Sequence, residues 1–341
     1  MQKPTLRDVA KAAGVHAATA SRALNPETRV LVNSETALRV LSAAKSLGYT
    51  PNPIARSLKT AKSGTIGVVL PDLTNPLFPP IVRGIDDILG PAGYSCFIVN
   101  TDNDAEREQA QIASLRSRQV DGLIVGTAWL RHPLLTELHE QGVKMVLFNR
   151  RAERLDVPTV TPDDAAGIAL AVRHLAELGH RRILHLAGPP ATSTGTARAA
   201  AFRDAVRDLG LDDDPALVAV CASWTEEDGA RALRTALDSG LRFTAVVAGN
   251  DLIALGAYDV FRERDISCPE QISVVGFNGM PFIDKLRPPL TTVTIPHQQI
   301  GREAARMLLE TLQDDTDRPP RSVLLPVALT VRASTAPPAK A

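Results

Sequence analysis

Apolar positions follow two different periods along this chain, and the change falls near residue 65. In "TLRDVAKAAGVHAATASRALN", residues 5–25, the side chains Leu6, Val9, Ala10 and Ala13 recur at helical spacing. Thr5 and Asp8 have the spacing of a capping box, which predicts a helix start between them. Gly14 supplies the positive-φ residue that follows a helix, and Val15 plugs the junction. A second helix is predicted from about Ala17 to Leu24, with Ala20, Ala23 and Leu24 inward and Ala17, Ala18, Ser21 and Arg22 outward. A third is predicted from about Ser34 to Leu47, with Leu38, Leu41, Ala44 and Leu47 inward and Gly48 at its end. Small residues around a tight glycine turn let two short helices cross closely. A DNA-reading helix-turn-helix needs that geometry to push its second helix into the major groove; three surface helices of a larger domain would show the same periodicity.

The segment "YTPNPIARSLKTAKSG" follows, where Asn52 and Pro53 fit N-cap and N1 of a short helix ending near Lys59. A helix of that length does not hold itself together in water, so the segment either links or orders on binding. Leu58 has no obvious core to join.

From Thr65 onward continuous apolar runs alternate with amphipathic stretches. The predicted strands are 65–70, 95–100, 122–126 and 144–149, then 182–187, 217–222, 244–249 and 273–277. Continuous apolar strands with helical crossovers mean doubly wound parallel sheets, and two groups of about four units mean two lobes. Ligands of such folds bind beyond the carboxyl ends of the strands, here in the cleft between lobes.

Charge sharpens the division. The net charge is +0, yet residues 1–62 carry ten basic and three acidic side chains, net +7, against 28 and 35 in the remainder, net −7. A basic head on an acidic body points to a polyanionic partner for the head. No run of about 18 apolar residues is present, so no transmembrane helix is expected. The start "MQKPTLRDVA" has no apolar secretory core, and Cys96, Cys221 and Cys268 are odd in number and far apart. A reducing cytoplasm is therefore expected, without a disulfide frame or zinc site. The motifs G-x-G-x-x-G, G-x-x-x-x-G-K-[ST] and G-x-S-x-G do not occur where they would mark an enzyme, and the seven histidines show no metal spacing. No catalytic residue, metal or cofactor is expected.

In order and spacing, several pieces of this chain resemble the LacI/GalR (lactose-repressor) family of bacterial transcription regulators. At the head they are "TLRDVAKAAGV", "TASRALN", "LGYTPN" and "ARSLKT". In the body they are "IGVVLPDLTNPLF", "DGLIV", "LGHRRILHLAGP", "GNDLIALGA", "ISVVGF", "LTTV" and "LTVRAST". The resemblance implies a small all-α helix-turn-helix head on an α/β body of two doubly wound parallel-sheet lobes, like a periplasmic sugar-binding protein. It implies a DNA-binding domain at 1–50, a hinge helix and linker at 51–63, and an effector-binding and dimerisation domain at 64–341. Within the last, one lobe is expected at about 64–162 and 294–325, the other at about 163–293 and 326–341. The expected partners are a near-palindromic double-stranded operator, a second copy of the chain and a small sugar, sugar acid or related metabolite; no membrane partner is expected. Most members are repressors, and a nucleoid location in the bacterial cytoplasm follows. The chain ends "RASTAPPAKA" without a heptad repeat, so a dimer is expected.

Carried over residue by residue, the resemblance places Thr5, His16, Ala17, Ala18, Thr19, Ser21, Arg22, Asn25 and Tyr49 at the DNA, with Asn52, Ala55, Arg56, Leu58 and Lys59 in the hinge. The residue matching Leu58 wedges between central base steps of the minor groove in the family. Arg22 is placed either to fork onto guanine or to clamp a phosphate. His16 stands where serine commonly caps the reading helix; its imidazole is a weak cap, and a phosphate contact or plain solvation are its other roles. The segment "NPETRVLVN" is two residues longer than the family's familiar version, and Ala37 replaces a frequent arginine. In the cleft the implied effector contacts are Asn75, Phe78, Asn149, Arg198, Trp224, Asn250 and Asn278. An indole face, several amides and one guanidinium suit a small polar ligand. Trp224 could instead be core, Asn250 a helix cap and Arg198 half of a surface ion pair. Asn149 and Asn278 replace frequent aspartates, which makes the cleft less negative and favours an acid over a neutral sugar. A periplasmic solute receptor and an enzyme on the same body fold are the competing readings.

Overall fold

Thr5 begins the first helix by a reciprocal exchange. Its hydroxyl accepts from Asp8 N, and its own N–H donates to the Asp8 carboxylate at 2.8 Å. The helix α1 (Leu6–Ala12) then runs to Gly14, whose φ of 65° turns the chain into α2 (Ala17–Leu24). Asn33 caps α3 (Ser34–Leu47), and Gly48 ends it at φ 63°. A single 3-10 turn, Arg29–Leu31, occupies part of the lengthened connection between α2 and α3. The computed structural model describes residues 4–25, 28–50, 63–313 and 319–339. The chain divides into two compact units, 1–63 and 64–341, called head and body below.

The head core is built of small side chains: Val9, Ala10, Ala13, Ala20, Ala23, Ala37, Val40, Ala43 and Ala44 are buried together. This corrects the predicted face of α3. Leu38 is 68% exposed and Leu47 39%, while Ala37, Val40 and Ala43 point inward with Ala44. Two apolar stripes compete on α3, and close crossing of three short helices admits only the narrower one.

In the body, β1 (Thr65–Leu70), β2 (Ser95–Asn100), β3 (Gly122–Val125), β4 (Met145–Phe148), β5 (Thr159–Pro162) and β11 (Ser322–Leu325) form one parallel sheet, order β11-β5-β4-β3-β1-β2. The second sheet contains β6 (Ile183–Ala187), β7 (Val218–Val220), β8 (Ala245–Ala248), β9 (Ser273–Asn278), β10 (Thr291–Thr294) and β12 (Ala328–Thr330), order β12-β10-β9-β8-β6-β7. Its strands are parallel except β12, which runs antiparallel to β10. The eight predicted strands are all present. Four further strands, β5, β10, β11 and β12, complete the two sheets.

Each sheet defines a lobe, and the chain crosses between them after β5, after β10 and after β11. Helices α4 (Phe78–Leu89), α5 (Ala105–Ser117), α6 (Pro133–Glu140) and α11 (His297–Gln313) belong with the first sheet. Helices α7 (Asp164–Glu177), α8 (Ser193–Asp208), α9 (Glu226–Asp238) and α10 (Asp251–Glu263) belong with the second. Among the described residues no helix is long and apolar enough to cross a membrane.

Candidate functional site

The loops that leave the strands' carboxyl ends meet in one cleft of the body. It is lined by Asp72, Asn75 and Phe78 after β1, Asn103 after β2, Asn149 and Arg150 after β4, and Thr194 and Arg198 on α8. From the second sheet come Ser223, Trp224 and Thr225 after β7, Asn250 after β8 and Asn278 at the end of β9. All seven cleft residues named from the sequence are brought together. The sequence reading missed Arg150, Asn103, Thr194 and the hydroxyls flanking Trp224. Applying the strand-end rule to every crossover, and not to the motif positions alone, would have found them.

Two backbone details set the asparagines. Asn149 has φ 63° and Asn278 φ 110°, a region that asparagine enters at lower cost than most side chains. Asn250 caps α10 through its Oδ1, which accepts from Ile253 N at 2.8 Å, while its Nδ2 donates to Trp224 O at 3.3 Å. It is a cap and a cleft residue at once. Trp224 packs on the second-lobe core, yet its ring also lines the cleft. Gly188 makes that possible: a Cβ there would lie 2.1 Å from the indole.

Arg198 sits in the second turn of α8 and is 2% exposed. Its Nε donates to Asp164 Oδ1 at 2.7 Å and its Nη1 to Gly249 O at 2.6 Å, and Nη2 lies 3.5 Å from Asn278 Oδ1. The guanidinium carbon stands 3.7 Å from the centre of the Phe277 ring. The surface ion pair considered from sequence is therefore a buried one. Asp164, on α7, does not itself line the cleft; the carboxylate that does is Asp72. Burial pushes the Asp164 carboxyl up, against the pull of Arg198.

The less compensated cation is Arg150. Burial, and then the charge of Arg198, lower its pKa to about 10, with Glu108 opposing. It stays charged at neutral pH, and its Nη1 is buried with no hydrogen-bond partner among the described residues. The same holds for Asn149 Oδ1 and Trp224 Nε1. The cleft thus offers two donors and one acceptor, all desolvated, to whatever enters it. Phe78 closes one wall, edge-on to Phe148 with ring centres 6.3 Å apart.

Behind the cleft His185 is buried, its Nδ1–H donating to Val247 O at 2.8 Å. Burial lowers its pKa from 6.5 to about 4. Below pH 6.5 the unfolded chain takes up a proton that the native core refuses, so stability falls as pH drops through this window. The loss is about 1.4 kcal/mol per unit at full effect. His185→Gln should make that acid limb less steep, leaving the part owed to His297, whose pKa burial also lowers to about 4. The limb is read as melting temperature against pH from 7 to 4; an unchanged slope would refute the assignment.

In the head, His16 is the N-cap of α2: its Nδ1 accepts from Ala18 N at 3.3 Å. The imidazole does serve as a cap, so its proton sits on Nε2, free to meet a phosphate. Ala18 and Arg22 are exposed on α2, and Ala17, Thr19 and Ser21 are half-buried, with Ala17 packed against the head core. Thr5 is engaged in its cap, Asn25 ends the second helix and Tyr49 follows the Gly48 that ends the third, both half-buried. Asn52, Ala55, Arg56, Leu58 and Lys59 lie outside the described residues. Among the described residues no cluster of three or more His, Cys, Asp or Glu side chains could hold a metal.

Comparison with known proteins finds two family models. "Bacterial regulatory proteins, lacI family" matches residues 5–52, and "periplasmic binding proteins and sugar binding domain of LacI family" matches 63–333. The chain is 33% identical over 334 residues to the ribose operon repressor of Halalkalibacterium halodurans, covering 97% of each. Among solved structures it is similar to the lac repressor dimer bound to operator and the anti-inducer ONPF. That likeness has 26% identity and a TM-score of 0.85, over 98% of this chain and 100% of the other. It is also similar to a LacI family regulator from Enterococcus faecium with bound ribose, at 31% identity and a TM-score of 0.69, covering 80% and 99%.

Proposed function

Because the chain belongs to the LacI family of bacterial transcription regulators, we propose that it represses from a near-palindromic operator as a homodimer in the cytoplasm, at the nucleoid, switched by a small sugar or sugar acid in the body cleft. The three buried, unpartnered atoms of Asn149, Arg150 and Trp224 carry the effector half of this reading. Asn149 Oδ1 needs a donor, and Arg150 Nη1 and Trp224 Nε1 need acceptors; a hydroxyl supplies both. A carboxylate alone would leave Asn149 unsatisfied, so the ligand carries several hydroxyls, with any acid group placed at Arg150. The expected segments are the head at 1–50, the hinge at 51–63 and the two-lobed body at 64–341.

The decisive experiment is selection of genomic fragments by the purified protein, then footprinting with a panel of pentoses, hexoses and their aldonic acids. A near-palindrome whose half-sites suit two symmetric heads, with protection altered by one sugar class, is the expected result. Protection altered by neutral sugars only would remove the acid from the reading. Binding without a shared site, and unresponsive to the panel, would overturn it. In the same assay Arg22→Ala should weaken the selected site by about 1–3 kcal/mol while leaving random DNA unchanged. An equal loss on random DNA would make Arg22 a phosphate clamp.

A further inference from the structure

Glu108, on α5, is a carboxylate buried to 3% exposure, outside the row of residues that touch the cleft. Its Oε1 accepts from the Thr127 hydroxyl. Its Oε2 lies 3.1 Å from His132 Nε2, without a formed hydrogen bond. His132 Nδ1 accepts from Leu135 N at 3.4 Å, which leaves Nε2 as the ring nitrogen beside Glu108. Thr127 and His132 are the two ends of the short loop between β3 and α6.

Between those ends stand the groups that face the other lobe. Leu130 N donates to Ala191 O at 2.9 Å, and Leu130 O accepts from Glu153 N at 2.8 Å. Beside it Arg151 N donates to Ser193 Oγ at 3.0 Å. Ala191 and Ser193 lead into α8, which carries Thr194 and Arg198. The Trp129 ring lies 5.9 Å from the Arg150 guanidinium carbon. The loop thus touches the less compensated cation of the cleft and bonds to the opposite lobe. Glu108 also supplies the opposing charge that Arg150 feels.

We propose that Glu108 is a positioning residue of the effector cleft: its carboxylate bonds one end of the 127–132 loop through Thr127 and lies against the other at His132, and the loop so held joins the two lobes and steadies Arg150. A buried carboxylate is costly unless its acceptors are used, and those of Glu108 face Thr127 and His132 and not the cleft. The inference takes the cleft as the effector site, as proposed above. Glu108→Gln keeps size and the Thr127 bond, but turns an amide N–H toward His132 and removes the charge facing Arg150.

Residue-resolved amide hydrogen exchange on the full chain, without added ligand, tests this. In Glu108→Gln the Leu130 and Arg151 amides should exchange at least tenfold faster, while Val68 and Leu184 in the sheet centres keep their rates. Thr127→Val, which removes only the hydroxyl donor, should accelerate the same two amides. It decides the matter should the glutamine variant fail to fold. Unchanged Leu130 and Arg151 rates, or a uniform rise that includes Val68 and Leu184, would overturn the proposal. In titrations with D-ribose and D-ribonate, Glu108→Gln should bind whichever of the two the parent binds at least threefold more weakly, and equal affinity would overturn the positioning role. A parent that binds neither speaks against the effector reading and leaves the exchange comparison standing.

Discussion

Arg198→Met should lower the melting temperature of the body by on the order of 10 °C and abolish binding of the effector. Removing one member of a buried ion pair costs about 3–5 kcal/mol, because the other charge stays behind without compensation. Here the charge left behind is Asp164, 9% exposed, and Gly249 O and Asn278 Oδ1 lose a donor as well. For a body of this size each kcal/mol moves the midpoint by about 2–4 °C. Lowering the pH should shrink the deficit, since burial already raises the Asp164 pKa and a protonated carboxyl no longer carries the stranded charge. Adding Asp164→Asn should restore much of the midpoint without restoring ligand binding, because the fork into the cleft is still missing. Calorimetry of the two single and one double variants checks this. A loss below about 1 kcal/mol in Arg198→Met would mean that the pair is solvated and the cleft open to water.

Much of the cleft was legible through the family resemblance, which carried seven positions over one by one, and all seven line one cleft. The partner of Arg198 was not legible: Asp164 lies 34 residues away and meets it only when α7 and α8 pack side by side. The strands show the same division. The buried central strands read as apolar runs, whereas β5 "TVTP" and β10 "TTVT" are short and rich in threonine. Nothing in their local pattern distinguishes them from loops; neighbours from remote parts of the chain complete them. β2 reads as apolar although it is an edge strand that leaves Phe97 and Ile98 over 40% exposed. In the head, the leucines of α3 misled because burial of the larger side chain is the usual rule. A core of alanines crossing closely reverses it, and the sequence already held that core in α1 and α2.

That alanine core gives the second large effect. Ala23→Leu should cut operator binding at least tenfold while leaving the body's melting transition and effector affinity unchanged. Ala23 has no exposed surface and packs with Val9, Ala20 and Val40 among three helices. Three added carbon atoms have no space there, and overpacking of such a site costs about 1–3 kcal/mol. In a large domain that loss would be absorbed. A unit of this size has about 3–5 kcal/mol at most to lose, so a large fraction of heads would unfold or shift the α1–α2 crossing. A palindromic site needs both heads of the dimer, so the loss enters the affinity twice. Ala12→Leu is the control: the same enlargement at an exposed position of α1 should change neither folding nor DNA binding. Were Ala23→Leu to footprint the operator at the parent's concentration, the close crossing of α1 and α2 could not be what presents the reading helix.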